Sequence, residues 1–295
     1  MNMAKSLASK CRRYFLEQKL CYHAPQRESP FPKKGRFFSL KKLRRPQVVC
    51  LRTENLPPSL AAKISPFFHE ILEKSGPQIH SIYLVGGVLE EGSPEQAGKI
   101  DSVIVLEKMD LGFLDVLAPL GLKYGKTGLA APLIMDPGYI GKSVDAFPLE
   151  FLNFRLAHCT LYGEDLMSSL EIQRQELRHQ CERELKGKLI WLHRIYVSAM
   201  GDAKILAGDI IRHFDGYPPL FRGLLHLLGR VPPKGLAAVL DSLAEATALD
   251  PGVFTAISAI RNKGVKPSNA EVSQLFAKFY RATERLVEVV DGLKV

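Results

Sequence analysis

Apolar residues recur every three or four positions from Ser59 to Lys74, at Leu60, Ile64, Phe67, Phe68, Ile71 and Leu72, and Gly76-Pro77 ends the pattern. This spacing predicts a helix. Two short apolar runs follow. Ile82, Tyr83, Leu84 and Val85 stop at Gly86-Gly87, and Ile100 to Leu106 carries Val103, Ile104 and Val105 behind a single carboxylate, Asp101. Runs of this length, rich in strand formers and bounded by turn residues, predict buried strands. Leu111 to Leu120 reads as a second helix with Phe113, Leu114 and Leu117 inward, and Ala130 to Met135 as a third strand. Phe147 to Phe154 alternates well enough to predict another strand. Helices alternating with short strands indicate an α/β domain.

Beyond Gly163 the pattern becomes helical throughout. Glu171 to Met200 lacks proline and carries a stripe of Leu177, Cys181, Leu185, Leu189, Leu192 and Tyr196, which predicts one long amphipathic helix. Further helical segments are expected at Asp202 to Phe214, Pro219 to Leu228, Pro233 to Leu249, Pro251 to Asn262 and Ala270 to Leu293. Their ends are punctuated: Asp250-Pro251 offers an N-cap with proline in the first turn, and Ser268 with Glu271 forms a capping box. Six helices make a bundle with its own core. The expected division is residues 1–52 as a basic extension, 53–163 as the α/β domain and 164–295 as the bundle.

Charge sharpens the first boundary. The 295-residue chain has a formal charge of +9, yet residues 1–45 hold 13 Lys and Arg against Glu17 and Glu28, so the remainder is close to neutral. The high pI belongs to the extension and not to a folded surface. Within it, residues 33–45 interleave cations with Phe37, Phe38 and Leu40, a composition suited to nucleic acid or an anionic surface. The alternatives are a solvated tail or a misassigned upstream start codon, the blander reading, and an organellar targeting peptide. The five cysteines, Cys11, Cys21, Cys50, Cys159 and Cys181, are scattered and never spaced as Cys-x-x-Cys, against a zinc site or a disulfide framework. No run reaches the roughly 18 apolar residues of a membrane span, so a cytoplasmic protein without membrane contact is expected.

The candidate chemistry lies where the first two strands meet. Gly-Gly after a strand is most often an ordinary turn. Joined to a carboxylate on the neighbouring strand, it also suits phosphate: glycine lets backbone N–H groups approach an anion, and the acid can hold Mg²⁺ against phosphate oxygens. Val85-Gly86-Gly87, a spacer from Val88 to Gly98 and Lys99-Ile100-Asp101 resemble the signature of the DNA polymerase beta-like nucleotidyltransferase fold. The departure is Lys99, which stands where that fold has its first metal-binding acid. Ser143 to Met167, with Phe147-Pro-Leu-Glu-Phe151 followed by Leu161-Tyr-Gly-Glu-Asp165, is similar to a group of bacterial predicted nucleotidyltransferases, and the likeness runs from about residue 60 to the end.

The resemblance implies an α/β (α+β) nucleotidyltransferase-like domain with a small mixed sheet, followed by an all-α helical bundle. It also implies a nucleoside triphosphate (NTP) as ligand with Mg²⁺, held by Asp101 and Glu150, with Asp145 competing for the third acid. Gly86, Gly87 and Lys99 would meet the nucleotide. Glu150 could equally pair with Arg155 or Lys99. Two functions follow: transfer of a nucleoside monophosphate to an unknown acceptor, or a catalytically inactive nucleotide-binding or regulatory protein on the same fold. A HEPN-type ribonuclease is disfavoured, because only three residues separate Arg222 from His226 and that histidine sits in an apolar run.

Overall fold

The computed structural model describes residues 51–89, 99–263 and 268–294. The basic extension with residues 33–45 and most of the spacer before Lys99 lie outside them. Helix α1 (Pro58–Ser75) and strand β1 (Ile79–Val85) are joined by a 3-10 turn at Gly76–Gln78. They are followed by β2 (Asp101–Leu106), α2 (Gly112–Tyr124), β3 (Leu133–Met135) and α3 (Pro137–Ser143). β3 is shorter than its apolar run. Pro132 has no N–H to donate to a ladder, and ahead of it Leu129 makes only an isolated bridge to Ile100.

The expected strand over Phe147 to Phe154 is instead helix α4 (Pro148–Leu156). Pro148 sits in the first turn, where its missing N–H costs nothing and its fixed φ favours helix. The alternation that imitated a strand has a tertiary cause. Leu149 and Leu152 pack into the core of the helical half, while Phe151 packs against the sheet, so α4 is apolar on two sides. Strand β4 (His158–Gly163) follows and completes a four-stranded mixed sheet of order β3-β2-β1-β4. β1 is antiparallel to both its neighbours, and β2 is parallel to β3. One face, with Ile82, Leu84 and Ile104, packs on α1 and α2. The other, with Tyr83, Val103 and Val105, meets α3, α4 and Met167.

The helical half comprises α5 (Arg174–Ser198), α6 (Ala203–Phe214), α7 (Tyr217–Leu227), α8 (Leu236–Thr247), α9 (Gly252–Lys263) and α10 (Asn269–Asp291). Asp202 caps α6, and the Ser268–Glu271 box caps α10 as its spacing predicts. Of the predicted stripe on α5, Leu177, Cys181, Leu185 and Leu192 are buried, but Tyr196 is 53% exposed. The bundle centres on Phe214, Tyr217, Phe221, Phe254 and Phe279, whose rings meet stacked, tilted or edge-on. The buried Tyr217 hydroxyl is satisfied by Thr283 Oγ1 at 2.8 Å. No described helix is long and apolar enough to cross a membrane.

Gly163 closes β4 at φ 76°, in the left-handed region, and an added Cβ would lie 1.9 Å from the His80 carbonyl oxygen of β1. Backbone cannot yield there as a flexible side chain would. Gly163→Ala is therefore expected to lower stability by at least about 2 kcal/mol, read from urea unfolding. An unchanged midpoint would contradict the close approach of β4 to β1.

Lys188 on α5 lays its ammonium over the Tyr217 ring at 4.4 Å. Burial pulls this amine down from 10.5 to about 8, against the opposing pull of Glu184 and Asp215. Burial likewise pulls the adjacent His213 down to about 4, with the Lys188 charge adding to the effect. Below about pH 8 Lys188 is protonated folded or unfolded; between 8 and 10.5 only the unfolded chain holds the proton. The Lys188 contribution to stability accordingly rises with pH across that window, opposed from about pH 9 by the buried Cys181 thiol, which burial pushes from 9.0 up to about 12. Between pH 8 and 10.5 the melting temperature of the wild type, relative to that of Lys188→Met, should increase with pH; equal slopes would refute the assignment.

Candidate functional site

The register of the sheet sets three residues in a row. Val85, the last residue of β1, pairs with Asp101 on one side and with His158 on the other. Directly paired residues face the same side of a sheet, and strands lie about 4.8 Å apart, so Asp101 and His158 flank Val85 with their Cα atoms about 10 Å apart. The chain then turns at Gly86, whose φ of 83° glycine holds without strain. Its N–H donates to Ala157 O at 3.1 Å, so that donor serves the turn and not a ligand. Gly87–Leu89 continue as a 3-10 turn.

The candidate acids occupy three settings. Asp101 is exposed at the mouth of β2, and Lys99 is exposed two residues earlier, ahead of the strand proper. Glu150 lies on a helix, where its carboxylate accepts from Gln180 Nε2 at 2.7 Å; Gln180 Oε1 in turn accepts the Leu149 N–H at 2.9 Å. Glu150 is thus tied to α5. Of its two expected partners, Arg155 instead donates to Leu170 O. Asp145, exposed beyond α3, accepts from the backbone of Ala146. Among the described residues no three His, Cys, Asp or Glu side chains gather to hold a metal ion. Among the described residues, this donor set does not by itself supply the two-Mg²⁺ centre that nucleotidyl transfer uses.

At the other end of the row His158 has both ring nitrogens on oxygen: Nδ1 is 2.8 Å from Phe154 O and Nε2 is 3.1 Å from Asp165 Oδ1. Ser168 donates its hydroxyl to Asp165 Oδ2 at 2.6 Å and its N–H to Oδ1 at 3.1 Å. Burial pushes the Asp165 carboxyl up, but the hydrogen bonds from Ser168 and His158 outweigh it and leave the group below the usual carboxylate range. Cys159 pairs with Leu84 and faces the opposite side from His158, as strand alternation requires. Burial raises its thiol above the ordinary value, which keeps it protonated and poorly nucleophilic.

Beside this row, along β4 and facing the helical half, lies a cleft of about 580 Å³. Leu89 of the glycine turn and Ala157, the acceptor for Gly86, both line it. Three cations reach it from separate parts of the chain: Arg52, Arg222 of α7 and Lys234 before α8. Arg52 is fixed by its N–H to Leu161 O and its guanidinium to Gly163 O. Arg222 donates to Asn153 Oδ1 at 3.4 Å, while Asn153 Nδ2 donates to Leu149 O at 2.8 Å. The sequence singled out Arg222 only as a disfavoured ribonuclease residue and did not reveal the other two. His226, half-buried on the same helix, has its pKa lowered chiefly by burial.

No protein-family model matches the sequence, and no curated protein matches it. Among solved structures, the fold is similar to spectinomycin adenyltransferase of Enterococcus faecialis, crystallised with ATP and spectinomycin. The TM-score is 0.45 at 11% identity, covering 77% of this chain and 98% of that one. Similarity at this level does not transfer an activity.

Tyr83 links the row to the segment that carries Asp165. Its buried hydroxyl donates to Glu164 O and accepts the Leu166 N–H at 2.9 Å. Tyr83→Phe leaves both backbone groups without that oxygen and should cost roughly 1–3 kcal/mol. Hydrogen exchange should accelerate most at residues 164–168; a uniform change across the sheet would argue against this local role.

Proposed function

We propose that this chain is a nucleotide-binding protein on a nucleotidyltransferase-like scaffold, acting as a regulator and not as a two-metal transferase. The observation that supports the reading is the row at the end of the sheet: Asp101 stands beside Val85 and the Gly86 turn, the arrangement that the sequence signature implies. The acids that would complete a metal centre are engaged elsewhere among the described residues, Glu150 with Gln180 and Asp145 with its own turn. The Asp101 carboxylate can meet one Mg²⁺ that arrives on the phosphates of an NTP, and Lys99 supplies positive charge two residues away. No transfer step is assigned to the remaining acids.

Calorimetry with ATP, GTP and Mg²⁺ tests this. The wild type is expected to bind an NTP in the presence of Mg²⁺ without releasing pyrophosphate. Lys99→Asp rebuilds the acid pair of the resembled signature and should strengthen the Mg²⁺ dependence of binding several-fold. Steady pyrophosphate release by the wild type, damaged by the same substitution, would instead assign the transferase activity. No NTP binding by either protein would defeat the reading.

A further inference from the structure

The cleft beside the sheet end has a sign. Among the described residues that line it, Arg52, Arg222 and Lys234 contribute three cations from three places in the chain, beside two carboxylates, Glu54 and Asp165. Asp165 is already engaged by His158 and Ser168. Among the described residues, neither Arg52 nor Lys234 forms an ion pair with a carboxylate. Arg222 is directed by Asn153, so one planar donor is held at the junction of α4 and α7. The intervening wall is apolar, with Leu56, Leu89, Leu156 and the Pro232-Pro233 pair. Its volume lies within the usual range for sites that take ligands of nucleotide size.

We propose that this cleft binds a phosphoryl group carried on an apolar or planar body, with Arg222 gripping the phosphate, Asn153 positioning Arg222, and Arg52 and Lys234 completing the cationic rim. Guanidinium groups match phosphate oxygens through paired N–H donors, and the leucine and proline wall suits a ring. That chemistry has two sources: the polyphosphate of the nucleotide itself, reaching across from the glycine turn, or a separate phosphorylated ligand. The first source rests on the nucleotide-binding reading given above; the second does not.

The probe is phenyl phosphate, with phenol as its uncharged counterpart, titrated calorimetrically into the full chain. Phenyl phosphate should bind and phenol should not. Arg222→Ala and Lys234→Ala should each weaken binding roughly ten-fold or more. Arg222→Lys should recover only part of the loss, because an ammonium cannot reproduce the fork held by Asn153. Lys234 is exposed, so its substitution leaves the fold intact, and melting curves check the Arg222 variants. Saturating ATP with Mg²⁺ that displaces phenyl phosphate identifies the nucleotide as the source; undisturbed binding identifies a separate ligand. Equal binding of phenol and phenyl phosphate, or wild-type affinity in both Lys234→Ala and Arg222→Ala, would overturn the proposal. Phenyl phosphate binding without any ATP binding would defeat the nucleotide reading alone. ATP binding that is unaffected by Arg222→Ala, with no phenyl phosphate binding, would defeat the cleft alone.

Discussion

β1 is the constraint on which the rest of the molecule depends. It is paired on both edges and apolar on both faces, so a one-residue slip in its register would exchange the side chains packed on α1 and α2 with those packed on α3 and α4. Because that exchange is costly, the end of β1 is fixed, and with it the neighbours of Val85. Asp101 and His158 are placed by a hydrogen-bonded ladder and not by a flexible loop. Rigid placement of this kind is what a binding site requires.

The second organising contact is the buried Gln180, which joins the sheet-bearing half to the bundle through one amide. Its oxygen takes the Leu149 N–H near the start of α4, where helices leave donors unsatisfied, and its nitrogen holds Glu150. Both groups of the amide are thereby satisfied in a low-dielectric junction, where an unsatisfied polar atom is costly. The same contact gives Glu150 a structural role and explains an acid on a helix that otherwise buries leucine and phenylalanine.

Much of this architecture is legible in the sequence, because α1, β1, β2 and the long α5 announce themselves by period and by their stopping residues. Tyr196 departs from the α5 stripe because period identifies a face but not how far the partner helices extend along it. Phe147 to Phe154 deceives for a related reason: a helix wedged between two cores is apolar on two sides, and eight residues are too few for period to separate that from alternation. Only the glycine turn and Asp101, fourteen to fifteen residues apart along the chain, reveal part of the site. Arg52, Arg222 and Lys234 converge through tertiary contacts, and Asn153, which orients Arg222, looks like an ordinary polar residue of a short segment.

The edges of the sheet carry a consequence for how the protein behaves among its own copies. At one edge β3 is three residues long, and at the other Arg52 covers part of β4 by bonding its N–H to Leu161 O and its guanidinium to Gly163 O. An open edge is a template on which a second chain can add a strand. Here one edge is too short to serve and the other is partly blocked by a single stretch of backbone just ahead of α1. Trimming the chain past Arg52 would remove that cover and bare the Gly163 end of β4 to strand addition by a second copy.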